Sequence, residues 1–116
     1  MFLGRVVGTV WSTVKWPELS GLKLLLVRPY DLSELRTGVL TPSQEAVVCA
    51  DLLDAGIGDD VIIAYGHAAR VAAWEASLDH PPPAAPPIPI DAAVVAVVDR
   101  YHISESEEPP PPVAPR

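Results

Sequence analysis

The chain has 116 residues, which is the length of one domain. Its residues are 49% hydrophobic, although a domain of this size hides only roughly 60–65% of the surface of its unfolded chain. The sequence therefore has more apolar side chain than a small monomer covers easily. We expect a subunit of an obligate oligomer, with apolar surface buried between copies.

The net charge of −7 is unevenly distributed. The first 28 residues carry four basic side chains and one acidic one, a net charge of +3, which leaves −10 for the remainder. The overall acidity argues against generic nucleic-acid binding, which depends on neutralising phosphates. The basic N-terminal third indicates either one positive face or scattered, solvated charges.

The sequence contains no segment that predicts insertion into a membrane. Its longest apolar run has five or six residues, far fewer than the ~20 of a membrane-spanning helix. The N-terminal stretch MFLGRVVG lacks the pattern of a secretion signal. The single cysteine, Cys49, cannot form an internal disulfide, which fits a reducing cytosol. We therefore expect a cytoplasmic protein without a membrane partner.

The N-terminal region predicts a β-hairpin. Residues Gly4–Val14 indicate a strand that is apolar on both faces, so it lies either inside one protein or between two subunits. Residues Leu22–Val27 indicate a second strand, joined to the first by a short polar loop, which is typical of an antiparallel pair. Trp11 and Trp16 near the loop are predicted to be packing residues rather than a stacking platform for bases.

The next region is predicted less clearly. Residues Asp31–Gly38 are polar and indicate an exposed loop with at most one helical turn. Residues 41–44 (Thr-Pro-Ser-Gln) are typical of a helix start, whereas residues 46–50 are short and partly β-branched. Local reasoning slightly favours a helix over Thr41–Asp54.

The central stretch Asp51–Arg70 reads as turn, strand, turn. Glycines at the first turn, residues 55–58, suit backbone conformations that a Cβ would penalise. The run Val61–Tyr65 has the composition of a buried strand. A tight turn is expected at Gly66 and His67. The adjacent carboxylates Asp59 and Asp60 are predicted to be a solvated turn.

The C-terminal region predicts a helix, a proline-rich loop, a last strand and a tail. Val71–Ser77 indicates a short helix, and His80–Pro89, with six prolines in ten residues, indicates a stiff, extended loop. Ile90–Tyr101 indicates a strand that is again apolar on both faces. Glu105–Arg116 is acidic and proline-rich and is predicted to be disordered. Residues 1–104 form the predicted domain.

The pattern of five or six short strands with no βαβ alternation favours a small closed antiparallel barrel, which leaves no free sheet edge.

The chain shows no constellation of reacting groups. Its three histidines are far apart, and no pair has metal-ligand spacing. Cys49 lies in an apolar run, where a thiol behaves as a small hydrophobe. The pair Gly56 and Gly58 lacks the third glycine of a dinucleotide fingerprint. We expect no enzyme, no metal and no cofactor.

Three blocks of the sequence carry a likeness to a known family. They are the hairpin segment 8–27, the central stretch 51–70 with its Ala-Gly-Ile-Gly turn, and the apolar strand 90–99. In this order and spacing, across about residues 3–101, they resemble the EutN/CcmL family of bacterial microcompartment vertex proteins. Two departures stand out, because Asp54 occupies a position where the family usually has glycine, and His67 one where serine is common.

The resemblance implies a mainly β fold, a small five-stranded OB-like antiparallel barrel with one short α-helix, assembled as a cyclic pentamer. It implies homopentamers that cap the five-fold vertices of a shell otherwise tiled by hexameric shell proteins, with no nucleic acid and no membrane as partner. A ring of this kind uses a heterologous interface, in which different patches of each copy meet. It also implies that residues 45–50 are strand, against the local preference for helix.

Ten residues are our candidates for the subunit interface or a central pore: Thr13, Lys15, Lys23, Asp51, Gly56, Gly58, His67, Arg70, Asp91 and Asp99. Two other hypotheses remain open. The first is an OB-type barrel that binds single-stranded nucleic acid or a small ligand, which needs a basic groove with aromatic side chains. The second is a small enzyme, which needs a polar pocket with converging titratable groups.

Overall fold

The computed structural model describes residues 1–40, 45–77 and 88–104. Within these ranges the strands are β1 (Phe2–Val10), β2 (Lys23–Pro29), β3 (Val47–Asp51), β4 (Asp60–Tyr65) and β5 (Ala92–Val97). They form a closed barrel in the order β1-β2-β3-β5-β4. Two α-helices, α1 (Leu32–Thr37) and α2 (His67–Ser77), and a short 3-10 turn (Pro17–Leu19) complete the described elements.

The strand pairing confirms the predicted hairpin and corrects the predicted antiparallel barrel at one place. β1 and β2 are antiparallel, as expected. β3 and β5 are parallel, with Ala50 opposite Ala93 and Asp51 opposite Val94. A closed ring of five strands cannot reverse direction at every neighbour, because five is odd. One parallel pair is therefore unavoidable, and it falls between β3 and β5.

The barrel interior is the main hydrophobic core. It is filled by fully buried side chains from all five strands: Val6, Leu25, Val27, Cys49, Val61, Ile63 and Val94. Leu25 and Val27 show the alternation expected of a strand, since they point inward while Leu24 and Leu26 lie on the other face. Each buried aliphatic side chain of this size contributes about 1.5–3 kcal/mol relative to exposure.

A second apolar cluster lies outside the barrel wall. Ala69 and Ala73 of α2 pack with Ala50 of β3 and Ala93 of β5, and Ile88 and Ile90 are buried in the same cluster. Alanine side chains allow the helix to lie close to the strands. The chain's own helix thus covers the outer face of β5 at Ala93, whereas Val97 at the end of the strand is 41% exposed.

The structure corrects the helix predicted over Thr41–Asp54. Residues 47–51 form β3, which pairs with β2 on one side and β5 on the other, and residues 41–44 lie outside the described residues. The strand that the resemblance implies at residues 45–50 is confirmed, and it spans Val47–Asp51. The position of residues 47–51 within the barrel makes them a strand, because the neighbouring strands β2 and β5 satisfy their backbone hydrogen bonds.

Helices α1 and α2 are both longer than the sequence predicts. α1 replaces the expected exposed loop and begins with a capping box, in which Asp31 Oδ1 accepts from the Glu34 N–H at 2.8 Å and Glu34 Oε1 from the Asp31 N–H at 3.1 Å. α2 begins at His67 instead of Val71. Gly66, at φ 67°, ends β4 and turns the chain directly into the helix.

Two predictions fall mainly outside the described residues. They concern residues 80–87 of the proline-rich loop and the tail, residues 105–116, so the domain boundary at 104 remains a prediction. The last strand is shorter than predicted, because β5 ends at Val97 and the chain continues to Ser104 without regular structure.

Candidate subunit interface and polar clusters

The loop between β1 and β2, residues 11–22, is the most conspicuous apolar surface of the described chain. We call it the hairpin loop. Trp11 is 85% exposed, Val14 89% and Trp16 64%. The prediction that both tryptophans pack is therefore wrong for the isolated subunit. The loop borders a cleft of about 600 Å³, which is lined by Lys15 and Leu22 of the loop and by Lys23 and Leu24 of β2.

The apolar surface continues from the hairpin loop onto the barrel wall. Leu19 and Leu24 line both the large cleft and a smaller one of about 150 Å³. The smaller cleft is also lined by Val48, which is exposed on β3, and by Ile90. Leucines and valines thus form one band across the outer face of β2 and β3, as the excess of apolar side chains predicts.

A buried carboxylate joins β3 to the following loop and to β2. The Asp51 side chain is fully buried, and its Oδ1 accepts from the backbone N–H groups of Leu53 at 3.1 Å and Ala55 at 3.2 Å. Its Oδ2 lies 3.2 Å from Lys23 Nζ. Lys23 also donates to the Ala55 carbonyl at 3.0 Å and lies 3.3 Å from Asp54 Oδ1. The contact with Asp51 is the main cause that raises the pKa of Lys23.

The unusual aspartate of this loop has a left-handed backbone. Asp54 adopts φ 57°, and its side chain is 96% exposed. Glycine adopts this conformation without strain, while aspartate is one of the few other residues that tolerate it. This backbone fits the expectation that relatives carry glycine here, and Asp54 adds a second carboxylate beside Lys23.

A second polar cluster joins β1, β2 and β4. Asp60 Oδ1 accepts from Arg5 Nε at 3.1 Å and from the Tyr30 hydroxyl at 2.9 Å. The Arg5 guanidinium also lies 5.5 Å from the centre of the Tyr30 ring, within the range of a cation–π contact. The predicted solvated turn is wrong for Asp60, which begins β4. Asp59 does close a turn, since its N–H donates to the Gly56 carbonyl at 3.0 Å and its Oδ2 accepts from the Gly56 N–H at 2.8 Å.

Sequence reasoning missed this cluster. Arg5 and Asp60 are 55 positions apart and become partners only when β1 pairs with β4 to close the barrel. No local pattern indicates that Tyr30, after the end of β2, meets them. The useful signal is the register of the closed barrel, in which Arg5 stands opposite Asp60.

We expect Tyr30 to contribute to stability in a pH-dependent way. Burial and the hydrogen bond to Asp60 raise the pKa of Tyr30 from 10.0 to about 12. The folded protein therefore holds this proton more tightly than the unfolded chain, and the contribution is complete below pH 10 and lost as the pH rises towards 12.

Spectrophotometric titration of tyrosinate absorbance tests this expectation. The wild-type protein should show one tyrosine that ionises near pH 12, and the Tyr30→Phe variant should lack this component. The variant should also lose part of the decline in unfolding free energy between pH 10 and 12. If the component that the variant loses ionises near pH 10 and not near pH 12, the assignment is contradicted.

The structure brings together only some of the ten candidate residues. Lys23 and Asp51 form the ion pair described above. The others lie exposed or half-exposed around the subunit: Thr13 and Lys15 in the hairpin loop, Gly56 and Gly58 in the loop before β4, His67 and Arg70 in the first turn of α2, Asp91 before β5 and Asp99 after it. The Asp91 carbonyl accepts from the Gly66 N–H at 2.7 Å, so Asp91 flanks the turn that begins α2. Their roles at an interface or a pore remain predictions.

The described residues contain no candidate metal site and no activated cysteine nucleophile. Among them, no group of three or more His, Cys, Asp or Glu side chains is placed to hold a metal ion. Burial raises the pKa of the Cys49 thiol to about 12, so at neutral pH it is protonated and a poor nucleophile. No helix in the described ranges is both long and apolar enough to cross a bilayer.

The chain is thus a small closed β-barrel with an exposed apolar loop, and its two polar clusters connect neighbouring strands. Residues 1–99 match the family model described as "Ethanolamine utilisation protein EutN/carboxysome", and the chain belongs to this family. The resemblance seen in the sequence is confirmed.

Named relatives agree with this assignment. The chain is 40% identical over 99 residues to the bacterial microcompartment shell vertex protein GrpN of Rhodospirillum rubrum, covering 85% of this chain and 93% of GrpN. The solved structure of the GrpN pentameric microcompartment shell protein superposes with a TM-score of 0.64 at 35% identity, covering 90% of this chain and 100% of that one. The structure of Gloeobacter violaceus CcmL gives a TM-score of 0.67 at 35% identity, covering 89% and 90% of the two chains.

Proposed function

We propose that this protein is a structural subunit of a bacterial microcompartment shell. It assembles as a cyclic homopentamer that caps the five-fold vertices between hexameric shell proteins. The observation that carries the proposal is the match across residues 1–99 to a family whose member GrpN is named a shell vertex protein and is described as pentameric in its solved structure. The exposed apolar band on the hairpin loop and barrel wall supports it, because such a surface needs a partner.

This function needs no catalytic centre. In the described residues, the best-formed polar clusters connect strands to one another: Arg5 to Asp60, and Lys23 to Asp51. Each carboxylate is engaged by a cation and further hydrogen-bond donors, as expected of structural contacts. We therefore infer a non-enzymatic protein that needs no cofactor and lies in a shell within the cytoplasm.

The oligomeric state tests the proposal directly. Light scattering coupled to size exclusion should give a mass of five times 12.4 kDa, about 62 kDa. A stable monomer or dimer at micromolar concentration would argue against a vertex subunit. In cells, deletion of the gene should leave elongated or unsealed compartments in electron micrographs, whereas normal closed shells would contradict the capping role.

One observation favours a second function, the binding of single-stranded nucleic acid. Trp11 and Trp16 are exposed, with Lys15 beside them, and exposed aromatic and basic side chains are what such barrels use. The net charge of −7 weighs against it. A labelled oligonucleotide should show no mobility shift at low salt, and a salt-sensitive shift lost in Trp16→Ala would support this second function.

A further inference from the structure

We propose that residues 98–104, which follow β5, form a strap that ties the barrel to α1 and opens as a unit while the barrel stays folded. We call this segment the C-terminal strap. Three observations carry the inference: the two anchors of the strap, the cleft between the strap and α1, and the exposure of its side chains. The inference does not depend on the proposed pentamer, because every contact in it lies within one copy.

The first anchor joins the strap to β4. The Val98 N–H donates to the Asp60 carbonyl at 2.8 Å. The side chain of the same Asp60 accepts from Arg5 and from the Tyr30 hydroxyl. The strap therefore begins at the polar cluster that already joins β1, β2 and β4.

The second anchor joins the strap to α1. The Tyr101 hydroxyl donates to the Leu35 carbonyl at 2.8 Å, across 66 positions of the sequence. This carbonyl lies in the last turn of α1, where backbone acceptors have no partner within the helix. Burial is the main cause that raises the pKa of Tyr30, and Tyr101 is a further one, which places the Tyr101 hydroxyl close to the first anchor as well.

The strap is held less firmly than the strand before it. Within the described chain, the hydrogen bonds of Val98 and Tyr101 are the two that hold it, whereas β5 pairs with a strand on each side. A cleft of about 480 Å³ separates Leu35 and Arg36 from residues 101–104. Of those four residues only Ile103 is half-buried, and the others are exposed. A segment with so few buried contacts opens at a lower free energy than the core does.

The strap also fixes where the chain leaves the subunit. α1 follows the end of β2, whereas the hairpin loop precedes its start, and the paired residues Gly4–Val10 separate these two ends by about 20 Å. The bond from Tyr101 to α1 therefore holds Ser104 at the end of the β1–β2 pair that lies away from the hairpin loop. The acidic, proline-rich sequence 105–116 thus starts beside α1.

Cleavage of the native protein by trypsin tests the opening of the strap. Arg100 is exposed within it, and no lysine or arginine lies between Arg100 and the terminal Arg116, so cleavage releases residues 101–116 as one peptide that mass spectrometry identifies. When reclosing is faster than cleavage, the rate follows the population of the open form. Tyr101→Phe removes one hydrogen bond and should raise this rate by roughly 2- to 10-fold.

A second tyrosine and a second cleavage site are the controls. Tyr65 is 57% exposed and stacks on Phe2, so Tyr65→Phe should leave the rate at Arg100 unchanged. Cleavage after Arg70, in α2, reports opening of the folded body and should not respond to Tyr101→Phe. Equal rates at Arg100 in the wild-type protein and Tyr101→Phe would overturn the anchor. A parallel rise at Arg70 would show that the strap does not open separately.

Crosslinking within one copy tests the position of Ser104. A short bismaleimide should join the cysteines of Arg36→Cys/Ser104→Cys, while those of Ser12→Cys/Ser104→Cys should remain unjoined, because Ser12 lies in the hairpin loop. Cys49 is spared since its thiol is buried. Addition of Tyr101→Ala to the first pair should lower the yield. A crosslink of the second pair at equal yield, or none in the first, overturns the strap. The single-chain mass of the product identifies crosslinks within one copy, whatever the oligomeric state that tests the proposed function.

Discussion

Replacement of Gly4 by alanine should lower the free energy of unfolding by about 2–3 kcal/mol, the cost of overpacking a filled site. Gly4 is buried in β1, where it pairs with Pro29 on β2 and Val61 on β4. A Cβ at this position would lie 2.6 Å from Val27 Cγ1 and 2.8 Å from the Arg28 carbonyl oxygen. The backbone oxygen cannot move without disturbing the β1–β2 ladder, so the whole barrel bears the cost.

A second glycine on the same strand is the matched control. At Gly8 the nearest atom to an added Cβ is Leu26 Cδ1 at 3.2 Å, the end of a side chain that can rotate. Gly8→Ala also reduces the entropy of the unfolded chain, a gain of about 0.4–1 kcal/mol. Its net effect on the free energy of unfolding in urea should stay within about 1 kcal/mol. Equal destabilisation of the two variants would show that close backbone approach at Gly4 is not the cause.

Loss of the Asp51 carboxylate should destabilise the protein by about 3 kcal/mol. Asp51→Ala leaves the N–H groups of Leu53 and Ala55 without their acceptor and removes the buried partner of Lys23. The penalty is large because the Asp51 side chain and its hydrogen bond to the Ala55 N–H are buried, so solvent does not readily replace the lost acceptor. Urea unfolding of the variant measures the change.

Asp54→Asn is the matched control for this prediction. It removes the other carboxylate near Lys23, at a side chain that is almost fully exposed. Asparagine tolerates the left-handed backbone of this position, and exposed ion pairs contribute little, so the change should be within about 0.5–1 kcal/mol. If Asp51→Ala cost no more than Asp54→Asn, the buried hydrogen bonds of Asp51 would not be what holds the loop to the barrel.

The strands that the sequence predicted well have patterns that are complete within a few residues. β2 and β4 coincide with compact apolar runs of the sequence. The glycine-rich turn before β4 also marks where that strand begins. The predicted hairpin is confirmed for the same reason, since β1 and β2 are neighbours in the chain. The number of short strands already favoured a closed barrel. Family blocks in the right order added the strand at 45–50, which local reasoning had assigned to a helix.

The candidate site was predicted only in part. Lys23 and Asp51 were singled out as candidates, and they form an ion pair. Arg5 and Tyr30 were not singled out, because their common partner Asp60 is distant in sequence. Trp11 and Trp16 were expected to pack, since tryptophan is usually buried in part, and nothing in their neighbours shows that the loop stands clear of the barrel.

The amino-acid sequence by itself determined the family, the short apolar strands, the excess of apolar surface and the division between a basic beginning and an acidic remainder. Only the tertiary structure decided the parallel pairing of β3 with β5, the cover of α2 over β5, and the cluster at Asp60. The reason is physical: propensities, turns and caps act between residues a few positions apart. Which strand faces which across a closed barrel depends instead on ring closure, which no local pattern contains.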